Sequence, residues 1–271
     1  MPGSGEEVSS LVRTGTTNYQ WIVRRSSYLR MVAFMEWKRF WPWTRAQKHS
    51  VLLENESCFS SFDQNRPIES YEFISFDTEL TGLNPRQDQI VSIGAVRIRN
   101  LRIVAGENFF SYVHPTRELP KDSTLIHRIT PEQIKNAPEL DSVLPDFVRF
   151  CGESLLVGHY VSLDMAFLNK AARKILGGVL RNPCVDSMRL AQAHQEYRRR
   201  NHYKRFNPGL SFNLSVLARE YDLPLFVQHD ALEDALQTAY LFIYLVKKLR
   251  RAGYITLKDF YLAGRIGPRM F

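Results

Sequence analysis

The chain has 271 residues, of which 44% are hydrophobic and 24% charged, and a formal net charge of +8. That is enough apolar sequence to bury a full core, most simply one α/β domain plus an appendage, and the positive excess favours polyanionic partners. No stretch approaches the roughly 18 uninterrupted apolar residues of a membrane span, and three scattered cysteines (Cys58, Cys151, Cys184) suggest neither a disulfide framework nor a Cys-based zinc site.

A reducing compartment fits this cysteine usage. The opening MPGSGEEVSS has no charged segment leading into an apolar run, so a cytoplasmic protein without stable membrane insertion is expected. Residues 1–66 differ in kind from the rest. Eight Lys/Arg stand against Glu6, Glu7 and Glu36 in the first 50 residues, and all four tryptophans (Trp21, Trp37, Trp41, Trp43) lie in the first 43. Such mixing suits nucleic-acid stacking, an interfacial helix or a docking surface. The apolar positions from Trp21 to Trp41 spread around the whole helical wheel, which weakens the membrane reading. The other reading is a helical extension laid against the domain that follows. Ser57–Pro67 reads as a polar connector.

From Tyr71 the pattern becomes orderly. Strands are expected at 71–77, 89–98 and 105–113, with short connections that suggest an antiparallel start. Helical sequence follows at about 131–151, then the apolar strand LLVG at 155–158, a helix at 164–176, a short strand around Cys184 and Val185, and helices to about 252. Strands alternating with helices imply a mixed sheet flanked by helices. The expected organisation is an extension and linker over 1–66, a domain over 67–253 and a tail over 254–271.

The stretch FISFDTELTGL (73–83) ends a core strand on two carboxylates. Side chains alternate across a strand, so Phe73, Ser75, Asp77 and Glu79 share one face and the two acids converge. Like charges held close raise each other's pKa unless a cation intervenes, and paired hard carboxylates suit Mg²⁺ or Mn²⁺. A solvated strand end is the plainer reading of an isolated D-x-E. In GHYVSLDMAFLNKAARKIL, Asp164 lies one turn before Leu168 on a core stripe; in HDALEDALQTAYLF, Asp234 edges the stripe of Ala231, Ala235 and Ala239, with His229 just ahead. An acid on a core face needs a partner.

DTELTG, GHYVSLD and HDALEDA, in that order and spacing, resemble the three motifs of the DEDDh 3′–5′ exonucleases, the family of the proofreading epsilon subunit of bacterial DNA polymerase III and of ribonuclease T. LIHRITPEQI (125–134), CVDSMRLAQ (184–192) and LSFNLSVLAREYDLP (210–224) are similar to further family segments, and the resemblance covers about residues 68–252. It implies a ribonuclease H-like fold with a mixed five-stranded sheet. It implies that Asp77, Glu79, Asp164 and Asp234 hold two Mg²⁺ (or Mn²⁺) ions and that His229 is the general base, a task worth about 10² to 10⁴-fold. Thr81, Gly82 and Leu83 would form the lip that holds the terminal nucleotide, and His127 would reach the same pocket; core packing of Leu83 and a surface-loop His127 are the plainer alternatives. His159 either orients the loop of the second motif or is a capping or core histidine.

The chain departs from the family at Leu80 (usually Thr), Arg128 (Gly), Tyr160 (Asn) and Leu163 (Phe). Arg128 adds a phosphate contact or narrows the entry. The run YRRRNHYKR (197–205) grips a nucleic-acid backbone or is a solvated basic loop. The leading expectation is a divalent-metal 3′–5′ exonuclease on single-stranded or frayed ends, DNA favoured, with nucleic acid bearing a free 3′ end as its partner. An RNA-directed 3′ trimming exoribonuclease and a noncatalytic nucleic-acid-binding scaffold are the alternatives. A DNA polymerase or other replication or repair protein as partner has no direct support in the sequence.

Overall fold

The computed structural model describes residues 48–201 and 207–263. The aromatic and basic residues 1–47 and the end of the 197–205 run lie outside the described residues. Strands β1 (Phe73–Leu80), β2 (Ile90–Arg99), β3 (Arg102–Tyr112), β4 (Leu155–Gly158) and β5 (Cys184–Asp186) form one sheet in the order β3-β2-β1-β4-β5. β1 to β3 run antiparallel, whereas β4 and β5 join parallel to β1. The mixed five-stranded sheet expected from the sequence is therefore present. The β2–β3 hairpin closes on Asn100 and Leu101, both at positive φ (51° and 53°), as a two-residue turn matched to strand twist requires.

The helices are α1 (Ser50–Cys58), α2 (Lys121–His127), α3 (Pro131–Ile134), α4 (Leu140–Cys151), α5 (Ser162–Ile175), α6 (Ser187–Asn201), α7 (Leu214–Glu220), α8 (Ala231–Arg250) and α9 (Leu257–Ala263). The helical sequence expected at 131–151 is two helices, because Pro138 disfavours helical geometry at Ala137 and α4 restarts behind Glu139. α2, which had no counterpart in the sequence reading, precedes them.

The period-two pattern of β1 separates two cores. Phe73 packs on α8, its ring 4.9 Å from that of Phe242, and Ser75 Oγ donates to Ala235 O at 2.8 Å. Ile74 and Phe76 face the other way, into a cluster with Phe147 of α4 and Leu168 of α5. Each such fully buried side chain stabilises the fold by about 1.5–3 kcal/mol.

Packing extends past the 67–253 span at both ends. Leu52 of α1 is fully buried with the α4–α5 core, and Asn55 Nδ2 donates to Asn182 Oδ1 at 2.6 Å. Leu257 and Phe260 of α9 join the α8 core, and Pro67 bridges to Thr256.

Candidate active site

The carboxyl end of β1 stays paired with its antiparallel neighbour β2 but runs past its parallel neighbour β4, whose ladder with β1 covers Phe73–Ser75. In open α/β sheets this end is the usual position of a ligand crevice. Asp77 and Glu79 emerge here on the α8 face, as their alternation with Phe73 and Ser75 requires. Gly94 stands opposite Asp77 in the ladder. A Cβ on Gly94 would lie 2.2 Å from the carbonyl carbon of Ala231, so only glycine lets the start of α8 rest on the sheet at this point.

α8 begins with Asp230 as its cap, whose carboxylate accepts from the backbone N–H of Leu232 (3.0 Å) and Glu233 (3.1 Å). His229, just ahead, has φ 62°. Its backbone N–H donates to Asp234 Oδ2 at 2.8 Å, which closes the segment from His229 to Asp234 on itself. Glu79, His229 and Asp234 each offer a ligand atom within 4.8 Å of the others.

Asp164 arrives from the third direction, in the first turn of α5. Its Oδ1 accepts from Thr78 Oγ1 at 2.6 Å and from Thr78 N–H at 3.2 Å, which ties it to β1 between the two acids of that strand. Thr78 and Asp230 were not singled out from the sequence. An Asp one residue before a helical stripe is a cap signal that could have found Asp230; nothing local marks Thr78, whose partner is 86 residues away.

These carboxylates disturb one another. Burial raises Asp77 well above the usual carboxylate range, and Asp164, Glu79, Asp234 and Asp230 push it further. Burial, followed by Asp234, Asp230 and Asp164, raises Glu79 to about 8. Asp164 is raised to about 6 by burial against the opposing Thr78 hydrogen bonds, and Asp234 to about 6 by burial against the His229 N–H. Among the described residues, no Lys or Arg forms an ion pair with any of the four. A crowded set of hard oxygen donors without a Lys or Arg counter-ion fits a divalent cation from solution.

Around this centre, Leu83 is 76% exposed, so it is not core packing. Thr81 Oγ1 accepts from Gln89 N–H at 3.0 Å, and Gly82 lies against Asp88. His127 is not a surface-loop residue. It is buried at the end of α2, lines a cavity of about 160 Å³ together with His229, and is lowered in pKa by burial and then by that histidine's charge. His159 hydrogen-bonds Ser187 Oγ at 2.9 Å and Phe212 O at 2.8 Å, and burial lowers it to about 4, so it ties the loop after β4 as a neutral ring. In the basic run, Arg198 pairs with Glu220 at 3.0 Å, and Arg199 and Arg200 pair with Glu196 at 2.7 and 2.8 Å.

The RNase T exonuclease family model matches residues 74–242, which contain all five of the converging residues from Asp77 to Asp234. The chain belongs to the DEDD-type 3′–5′ exonuclease family. This exonuclease domain is 31% identical over 208 residues to the PolC-type DNA polymerase III of Thermotoga petrophila, covering 77% of this chain and 14% of that protein. It is 34% identical over 188 residues to the PolC-type DNA polymerase III of Caldanaerobacter subterraneus subsp. tengcongensis, covering 69% and 12%. The chain thus spans a small part of these relatives' length. Escherichia coli exonuclease I, solved with a dT13 oligonucleotide, shares the fold of the exonuclease domain at TM-score 0.57 and 18% identity, over 68% of this chain and 42% of that one. Among the described residues no helix is long and apolar enough to cross a membrane.

Proposed function

We propose that this protein is a divalent-metal-dependent 3′–5′ exonuclease that hydrolyses phosphodiester bonds at the 3′ ends of single-stranded DNA. The observation that carries this reading is the convergence of Asp77 and Glu79 from β1, Asp164 from α5 and Asp234 from α8 with no Lys or Arg of the described residues paired to them. In this reading the four acids hold two Mg²⁺ or Mn²⁺ ions. Bound divalent ions would supply charge neutralisation at the scissile phosphate and an activated nucleophile at neutral pH.

The protein's own groups have separable tasks. His229 sits at the mouth of the site, where its ring accepts the proton of the attacking water. Asp234 fixes its backbone through the 2.8 Å hydrogen bond. Thr78 holds Asp164 in one rotamer through its hydroxyl, so that the carboxylate needs no rearrangement during reaction. The exposed Leu83, with Thr81 and Gly82, offers an apolar lip for the terminal base, and His127 closes the far side. Relatives named DNA polymerase III, together with a fold neighbour solved with an oligodeoxynucleotide, favour DNA and a proofreading or repair setting.

The test uses 5′-labelled single-stranded DNA and RNA of one sequence with Mg²⁺, Mn²⁺ or EDTA, beside Asp234→Ala. A metal-dependent ladder that shortens from the 3′ end of DNA and is absent in the variant is expected. Shortening of RNA alone would redirect the reading to a ribonuclease, and binding without shortening in either metal would overturn the enzyme.

A further inference from the structure

A polyanion approaching Asp77, Glu79, Asp164, Asp230 and Asp234 is repelled unless cations offset them. Divalent ions held by Asp77, Glu79, Asp164 and Asp234 would act at the reacting phosphate. The adjoining stretch of strand needs a cation of its own.

The cavity of about 160 Å³ beside the acids is lined by Phe110 and Tyr112 of β3, Ser92 of β2 and Gln133 of α3, with His127, His229 and the capping carboxylate Asp230. Phe110 is 39% exposed and meets Tyr112 edge-on, their rings 5.0 Å apart. Arg128 is the one Lys or Arg that lines it. Several arginines elsewhere in the described structure are committed to carboxylates, among them Arg97 and Arg99 to Glu107, Arg198 to Glu220 and Arg250 to Glu69. Among the described residues no carboxylate pairs with exposed Arg128.

Its backbone is held firmly. Arg128 ends α2 at φ 59°, ψ 12°, in the left-handed region. Its N–H donates to Thr124 O at 2.8 Å, and the next N–H, of Ile129, donates to His127 Nδ1 at 3.0 Å. An arginine accepts the left-handed conformation less readily than glycine does, so the fold gains nothing from it here.

Resting on the exonuclease reading above, we infer that Arg128 binds a non-bridging phosphate oxygen of the substrate strand and so positions that strand against the aromatic wall. The guanidinium fork is suited to phosphate, and its fixed backbone limits the ordering cost of binding.

The experiment compares wild type, Arg128→Gly and Arg128→Lys in two assays. Anisotropy of a 5′-labelled single-stranded oligodeoxynucleotide, with Ca²⁺ in place of Mg²⁺, reads binding across a salt series. Steady-state cleavage in Mg²⁺ reads KM and kcat. Arg128→Gly is expected to keep or raise the melting temperature, weaken binding about tenfold, and flatten the log–log salt slope by about 0.7, the value for one phosphate on a single strand. KM should rise by a similar factor with kcat little changed, and Arg128→Lys should recover part of the affinity. An unchanged affinity and salt slope in Arg128→Gly would overturn the inference. Tighter binding or a lower KM would also do so, by making Arg128 a steric gate. If wild type binds but does not cut, the exonuclease reading fails while the binding assay still decides the role of Arg128.

Discussion

Gly94 stands across the ladder from Asp77, and its missing side chain is where Ala231 comes to rest. Strand, strand and helix therefore meet at a point with no room for a methyl group. The obstacle to a larger residue is backbone, which cannot rotate away. We expect Gly94→Ala to lower the unfolding free energy by about 3 kcal/mol. Urea unfolding followed by circular dichroism measures this. Nuclease activity per folded molecule should fall as well, since lifting α8 carries His229 and Asp234 away from β1.

Thr78 supplies the shortest hydrogen bond to Asp164, 2.6 Å from its hydroxyl. Thr78→Val keeps the shape and removes that donor. The expected result is a rise of about 10–100-fold in the Mg²⁺ concentration for half-maximal cleavage, or a loss of rate of that size. Thr78→Ser should restore most of it. A Val variant with the wild-type Mg²⁺ curve would show that Asp164 is held by packing alone.

Leu52 tests where the folded unit begins. It is fully buried against the α4–α5 core, outside the 67–253 span expected for the domain. Leu52→Ala should cost about 2–5 kcal/mol, and a chain that starts at residue 67 should melt lower than one that starts at 48. Equal melting temperatures would make α1 an ornament.

His194 gives a stability change with pH that is separate from the acids. It hydrogen-bonds Tyr221 Oη at 3.3 Å, and burial, then Arg198 and Lys248, lower it to about 4. The unfolded chain takes up this proton near 6.5, whereas the folded chain holds it off until about 4. Between those values the unfolded state binds more protons, so the contribution of His194 is complete above about pH 6.5 and is lost as pH falls toward 4. The raised acids of the site slope the other way over the same window, so the test is the difference between the two proteins: the urea midpoint at pH 5 relative to pH 7 should be higher in His194→Gln than in wild type. His159, shifted in the same direction as His194, contributes equally to both.

Much of this site could be read before any coordinates. Period-two alternation set Asp77 and Glu79 on one face, and the alanine stripe of α8 put Asp234 at its edge; both follow from local repeats that survive folding unchanged. Thr78 could not be read in this way, because its partner belongs to another element. α1 buries little more than Val51, Leu52 and Asn55, too few positions to form a periodic signal. The departures at Arg128 and Tyr160 were visible as substitutions, but not as what they are physically. Both sit at positive φ, 59° and 56°, where the Gly and Asn of the resembled family are more at ease.

The tie between β1 and α8 also orders events during synthesis. Asp77 leaves the ribosome well before Asp234, by an interval on the order of ten seconds at about 5–20 residues per second. Until the last long helix settles on Gly94, the emerging polypeptide holds only part of the acid cluster proposed to bind metal ions.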